Sequence, residues 1–108
     1  MTCAVLMPHA PILVPTVGGD RGDTADFSRR AMREAAANVV KLRLESLVII
    51  SPHSPRKPQA FGIWEDARLH GSFGQFGVPA AQVNLPNDRE LAGSITAEAA
   101  TRDLKTRP

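Results

Sequence analysis

The sequence has 108 residues and a formal net charge of +2, with 43% apolar and 22% charged residues. Its basic residues are scattered and only 5% of the chain is aromatic, so we expect no nucleic-acid partner. No run approaches the roughly 20 apolar residues of a membrane span, so we expect no membrane partner either.

Cys3 is the single cysteine, and one thiol cannot form an internal disulfide, which fits a reducing compartment. We expect Cys3 to be a small core residue. The N-terminus lacks a basic region, and Pro8 interrupts its apolar run, so the pattern does not indicate a signal peptide. These features predict a cytoplasmic protein.

The first predicted element is a short apolar strand over residues 3–7, which leads into a long loop over residues 8–23. His9 lies in this loop, in the sequence Pro8-His9-Ala10-Pro11. Proline fixes the backbone, cannot donate to a sheet and excludes a helix here. We therefore expect the loop to hold the His9 side chain in one place.

Helix one is predicted over residues 24–43, capped by Asp23 or Thr24. Apolar residues at helical spacing form one stripe, which consists of Phe27, Ala31, Ala35, Val39 and Leu42. The charged residues lie mostly off this stripe and indicate a solvated face, made of Arg29, Arg30, Arg33 and Glu34.

Strand two is predicted over residues 46–51, where Leu47 to Ile50 are continuously apolar, as is typical of a parallel sheet covered on both faces. Strand, helix and strand predict a right-handed βαβ unit. The sequence Pro52-His53-Ser54-Pro55 follows strand two and repeats the pattern around His9. Ligands bind beyond the carboxyl ends of parallel strands, so we expect both histidines at one edge of the sheet.

The remaining chain predicts a loop over residues 52–58, strand three over 59–65, a loop over 68–77 and strand four over 81–85. Helix two is predicted from Pro86-Asn87-Asp88 to about Leu104, capped by Asn87 or Asp88, with Leu91 and Ile95 at helical spacing. The glycines of the 68–77 loop lack the Gly-Lys-Ser/Thr of a phosphate loop, so we expect Phe73 and Phe76 to pin it to the core. The fold class is α/β, with a βαβ-based, mostly parallel sheet and flanking helices. Two helices do not cover both sheet faces, so we expect a missing C-terminal half or a homo-oligomer.

Neutral imidazoles are good ligands for iron, zinc, copper and nickel. Two histidines and one carboxylate can hold Fe(II) with open positions for other ligands, and Zn(II) accepts the same donors. The pattern therefore predicts His9 and His53 as metal ligands. The alternative is that both are ordinary loop histidines bonded to backbone.

Three segments carry a resemblance to a known family: the Pro-rich arm around His9, the sequence Ile50-Ser51-Pro52-His53, and residues 68–77. They resemble the N-terminal part of the LigB-like family, the catalytic subunits of class III extradiol ring-cleavage dioxygenases, to which Memo-like proteins are related. The resemblance covers residues 3 to about 95, so the single predicted domain, residues 1–108, is the N-terminal portion of such a catalytic subunit.

The resemblance implies an α/β sandwich and an oxidoreductase of aromatic compound catabolism. Fe(II) bound by His9 and His53 would open a catechol-type diol, a small aromatic substrate, with O2. The family's third ligand, a glutamate, and its acid/base histidine lie beyond the region present here, and His70 does not match that histidine, so we interpret it as a surface or loop residue. The alternatives are a Zn(II)-dependent hydrolase and a non-catalytic fragment or Memo-like binding module.

Overall fold

The computed structural model describes residues 3–19 and 25–108. The chain divides into two compact units. The first consists of Met1–Leu47 with Ser72–Gln82, and the second of Val48–Gly71 with Val83–Pro108.

The first unit is helical in its N-terminal part. A 3-10 turn over Pro11–Leu13 is followed by the short helix α1, Pro15–Gly18, and by the long helix α2, Asp26–Lys41. The prediction of helix one is confirmed, although α2 ends two residues earlier than expected. Its predicted caps, Asp23 and Thr24, lie outside the described residues.

The predicted face assignments of α2 are only partly correct. Val39 and Leu42 are half-buried, whereas Phe27 is 79% exposed although it belongs to the predicted apolar stripe. The prediction that Arg29 lies on the solvated face is wrong, because its side chain is only 11% exposed. Arg30 and Arg33 are exposed, as predicted.

The predicted strands one and two are wrong. Residues 3–10 and 46–50 have no regular secondary structure, and their side chains are largely exposed, as at Leu6 (98%) and Ile50 (94%). A strand needs a neighbouring strand to pair with, and neither apolar run belongs to a sheet in the described residues. The βαβ unit around α2 is therefore absent from the described residues, and Cys3 is exposed rather than part of a core.

The second unit contains a two-stranded parallel sheet. Strand β1, Phe61–Gly62, pairs with a strand near the C-terminus, Thr106–Arg107, in the register Phe61 to Thr106. Predicted strand three is thus confirmed in place but shortened to two residues. The Thr106–Arg107 strand was not predicted at all.

A hairpin occupies the middle of the chain. Strand β2, Arg68–Phe73, and strand β3, Val78–Pro86, are neighbours joined by only four residues, which suffices for antiparallel strands alone. Predicted strand four lies within β3 and is confirmed. The prediction of a loop over 68–77 is wrong, because Gly74–Phe76 forms a tight 3-10 turn after a regular strand. Phe73 and Phe76 contact each other, with ring centroids 5.9 Å apart.

Helix α3, Arg89–Thr101, confirms predicted helix two. The Asp88 carboxylate accepts a hydrogen bond from the Leu91 N–H at 2.9 Å, so the predicted cap is present. The helix ends before Leu104 because Asp103 adopts a φ of 56° and the Leu104 N–H donates back to the Ala99 carbonyl at 3.0 Å. The Thr106–Arg107 strand, named β4, follows directly.

The described residues therefore form a mixed α/β structure with a small parallel sheet and helices. Within this part of the chain only Gly18 and Ala25 are buried. Over the same residues, we find no helix whose length and apolar character would let it cross a membrane.

Candidate functional site

The loop that carries His9 lies in the first unit and leads directly into the 3-10 turn. His9 is exposed. The Leu13 N–H donates to the Ala10 carbonyl at 3.0 Å, and the Val14 N–H donates to the Pro11 carbonyl at 3.0 Å. The backbone is therefore closed into a turn from the residue that follows His9.

An arginine of α2 fastens this turn. The Arg29 Nη2 donates to the Ile12 carbonyl at 2.6 Å, and its Nε donates to the Leu13 carbonyl at 3.2 Å. These bonds join residues 16 and 17 positions apart, so they hold the arm against α2. The sequence pattern did not identify this role for Arg29.

The loop that carries His53 lies in the second unit and is also exposed. The Ser51 hydroxyl accepts a hydrogen bond from the His53 backbone N–H at 3.2 Å. On the other side of the histidine, the Ser54 hydroxyl accepts from the Trp64 indole N–H at 3.4 Å. One hydrogen bond within the loop and one from Trp64, ten residues further along the chain, thus restrain the Pro52-His53-Ser54-Pro55 loop.

Trp64 is itself held by the residue before the α3 cap. The Asn87 side-chain amide donates to the carbonyls of Trp64 at 2.8 Å and Asp66 at 2.9 Å, and its backbone N–H donates to the Ala67 carbonyl at 3.0 Å. Asn87 therefore fixes the segment that follows β1. Because β1 is parallel to β4, this segment lies at the carboxyl end of the small sheet. The Trp64–Ser54 hydrogen bond links the His53 loop to that end.

The structure places the two predicted ligands in different compact units, His9 in the first and His53 in the second. The predicted route, in which two strands of one βαβ unit direct both histidines to one sheet edge, is wrong because neither strand forms. The joint binding of one metal ion by His9 and His53 stays a prediction.

The other candidate donors do not complete a metal site in the described residues. No group of three or more histidine, cysteine, aspartate or glutamate side chains within residues 3–19 and 25–108 could hold a metal ion. Imidazole is a suitable ligand for both Fe(II) and Zn(II), but the described residues do not supply a third donor. His70 is exposed on β2, which agrees with a surface residue but not with a loop.

A cavity of about 440 Å³ in the second unit does not coincide with the predicted site. Its lining includes Lys57, Phe61 and Lys105. These residues precede or begin β1 and β4, so the cavity lies at the amino ends of the parallel strands. Ligands of α/β sheets bind at the opposite, carboxyl edge.

Comparison with known proteins gives a distant relative and two negative results. The chain is similar to Protein CA_C1420 of Clostridium acetobutylicum, with 24% identity over 90 residues. The match covers 83% of this chain and 19% of that protein, so the chain spans about a fifth of the length of this relative. No family model matches the chain. No solved structure matches it.

Proposed function

We propose that the chain supplies two histidine ligands, His9 and His53, to a non-haem Fe(II) centre of the LigB-like extradiol dioxygenase type. Such a centre would open catechol-type rings with O2. One observation carries the proposal: each histidine lies in a Pro-His-x-Pro loop, and each loop is fastened by a side-chain hydrogen bond from a distant residue of its own unit.

Restrained loops are what a metal site requires of its ligands. A ligand whose backbone is already fixed loses little conformational freedom when the metal binds, so more of the interaction energy appears as affinity. The Arg29 bonds provide this restraint next to His9, and Trp64 provides it next to His53. Exposed histidines in restrained loops support metal binding rather than a role in a core.

The described residues alone do not make a complete Fe(II) site. A third protein donor is lacking among them, and two ligands hold a metal ion weakly, with too few bonds to select one geometry. We therefore propose metal binding, and not ring opening, for these residues on their own. The incomplete donor set favours a second candidate, a non-catalytic binding module of the Memo-like kind.

Metal titration tests the proposal directly. We expect the wild-type chain to bind Fe(II) under anaerobic conditions in isothermal titration calorimetry. His9→Ala and His53→Ala should each weaken binding by about tenfold to a hundredfold or more, since even outer-shell changes cost that much. His70→Ala is the matched control, because it removes the third histidine of the chain from an exposed strand position. Equal affinity in all four proteins would refute the assignment.

Oxygen consumption separates the two candidate functions. The Fe(II)-loaded protein is mixed with a panel of catechols, and O2 uptake is followed with an electrode. Uptake that depends on a diol and on His9 and His53 supports the dioxygenase. Metal binding without uptake for any diol supports the binding module, and a preference for Zn(II) over Fe(II) favours a hydrolytic site.

Thermal melts of His9→Ala and His53→Ala should stay close to wild type, because both histidines are exposed loop residues.

A further inference from the structure

The arm that carries His9 is held by one guanidinium group from the first two turns of α2. Arg29 donates to two successive carbonyls, those of Ile12 and Leu13, at 2.6 and 3.2 Å. Its side chain is only 11% exposed, whereas that of Asp26, 3.8 Å away, is 66% exposed. Arginine is rarely this buried unless its donors are used, so the two carbonyls account for its position.

Gly18 leaves the space that this contact needs. A Cβ atom at Gly18 would lie 2.5 Å from the Arg29 Nη2 and 2.5 Å from the Ile12 carbonyl oxygen. Both distances are far below van der Waals contact, so any side chain at residue 18 would displace the guanidinium or the carbonyl. The contact between Arg29 and the arm therefore depends on the absence of a side chain at Gly18.

The Arg29 contact holds the backbone three residues after His9. The carbonyls of Ile12 and Leu13 belong to a turn that is closed onto Ala10 through the Leu13 N–H. Pro11 restricts φ within the same turn. We propose that Arg29 is a positioning residue for His9, which rests on the proposed role of His9 as a metal ligand. Lysine does not reproduce this contact, because its single ammonium nitrogen cannot occupy the Nε and Nη2 positions together.

Backbone dynamics in the metal-free full chain test this proposal. We expect an NMR order parameter of about 0.85 for the His9 and Ala10 amides in wild type, falling below about 0.6 in Arg29→Lys and in Gly18→Ala. Gly18→Ala keeps the guanidinium chemically intact and places a Cβ against both partners of the contact, the Arg29 Nη2 and the Ile12 carbonyl oxygen. Arg30→Lys is the matched control, since Arg30 is the exposed neighbour on the same helix, and it should leave both amides unchanged.

Two results would overturn the proposal. One is an unchanged His9 order parameter in both Arg29→Lys and Gly18→Ala. The other is an equal loss of order throughout Asp26–Lys41, because that would make Arg29 a general stabiliser of the unit. If the variants do not fold, the Arg29 contact is tested in the wild-type protein. The Arg29 Nε–H should exchange with solvent more slowly than the Nε–H groups of Arg30 and Arg33. Equal exchange rates refute the contact. No metal is added, so a failed Fe(II) titration leaves this test intact.

Discussion

At the scale of single residues, the two histidine loops are restrained by different chemistry. Next to His9 a charged guanidinium binds carbonyls at distances down to 2.6 Å, and such charge-assisted bonds are the stronger class. Next to His53 the bond from Trp64 is a neutral indole-to-hydroxyl contact of 3.4 Å, which is long for a hydrogen bond. We therefore expect the His53 loop to open more readily than the His9 arm.

Trp64 is the single tryptophan of the chain and reports on the His53 loop. Ser54→Ala removes the acceptor of its indole N–H, so we expect hydrogen exchange of that group to accelerate about twofold to tenfold, the range that a net contribution of about 0.5–1.5 kcal/mol implies. Exchange is measured on the indole resonance by NMR. Ser51→Ala is the control, because Ser51 accepts from the His53 backbone and not from Trp64. Equal acceleration in both variants would show that the Ser54 contact is not specific.

At the scale of elements, the signals for α3 are local, whereas the pairing of β1 with β4 is not. α3 begins at a capping aspartate and ends at a left-handed residue, Asp103, and both signals lie within a few residues of the helix. The short strands β1 and β4 instead come from distant parts of the chain and pair through two register positions. We therefore expect α3 to respond to changes at its own ends.

Asp88→Ala should destabilise α3 by about 1 kcal/mol, because the Leu91 N–H loses its acceptor at the helix N-terminus. Urea unfolding followed by circular dichroism at 222 nm measures the effect. Asp88→Asn is the matched control, since asparagine is an equally good cap. An Asp88→Ala midpoint equal to that of Asp88→Asn and wild type would contradict the cap assignment.

At the scale of the whole molecule, the main feature is exposed apolar surface. Leu47, Val48, Ile49 and Ile50 are 57–94% exposed along one continuous stretch, and a net charge of +2 gives little repulsion between copies. Exposed large apolar side chains favour association between protein molecules.

We expect the isolated chain to self-associate through this stretch, and light scattering after size-exclusion chromatography should show a mass that rises with concentration. Ile50→Lys should lower that mass, because it places a charge within the contact. Val40→Lys is the control, since Val40 is 76% exposed on α2 and outside the stretch. A wild-type chain that stays monomeric at high concentration contradicts the prediction.

The same contrast explains which parts of the structure were predictable. The spacing of apolar residues predicted α2 and α3 because helical hydrogen bonds connect near neighbours. The apolar runs at 3–7 and 46–51 predicted strands that do not form, because a strand depends on a partner that local patterns do not supply. The prediction that Arg29 lies on the solvated face was wrong for a related reason. Its spacing relates it only to its own helix, whereas its hydrogen-bond partners lie 16 and 17 residues away.

The position of Asn87 has a consequence for the handling of the protein. Its amide nitrogen faces two carbonyl oxygens, those of Trp64 and Asp66. Slow hydrolysis of this amide would replace the nitrogen with a carboxylate oxygen, and three oxygens would then repel one another. The segment after β1 would be released without any change of the encoded sequence. Sample age at neutral pH is therefore a variable to control in every measurement on His53.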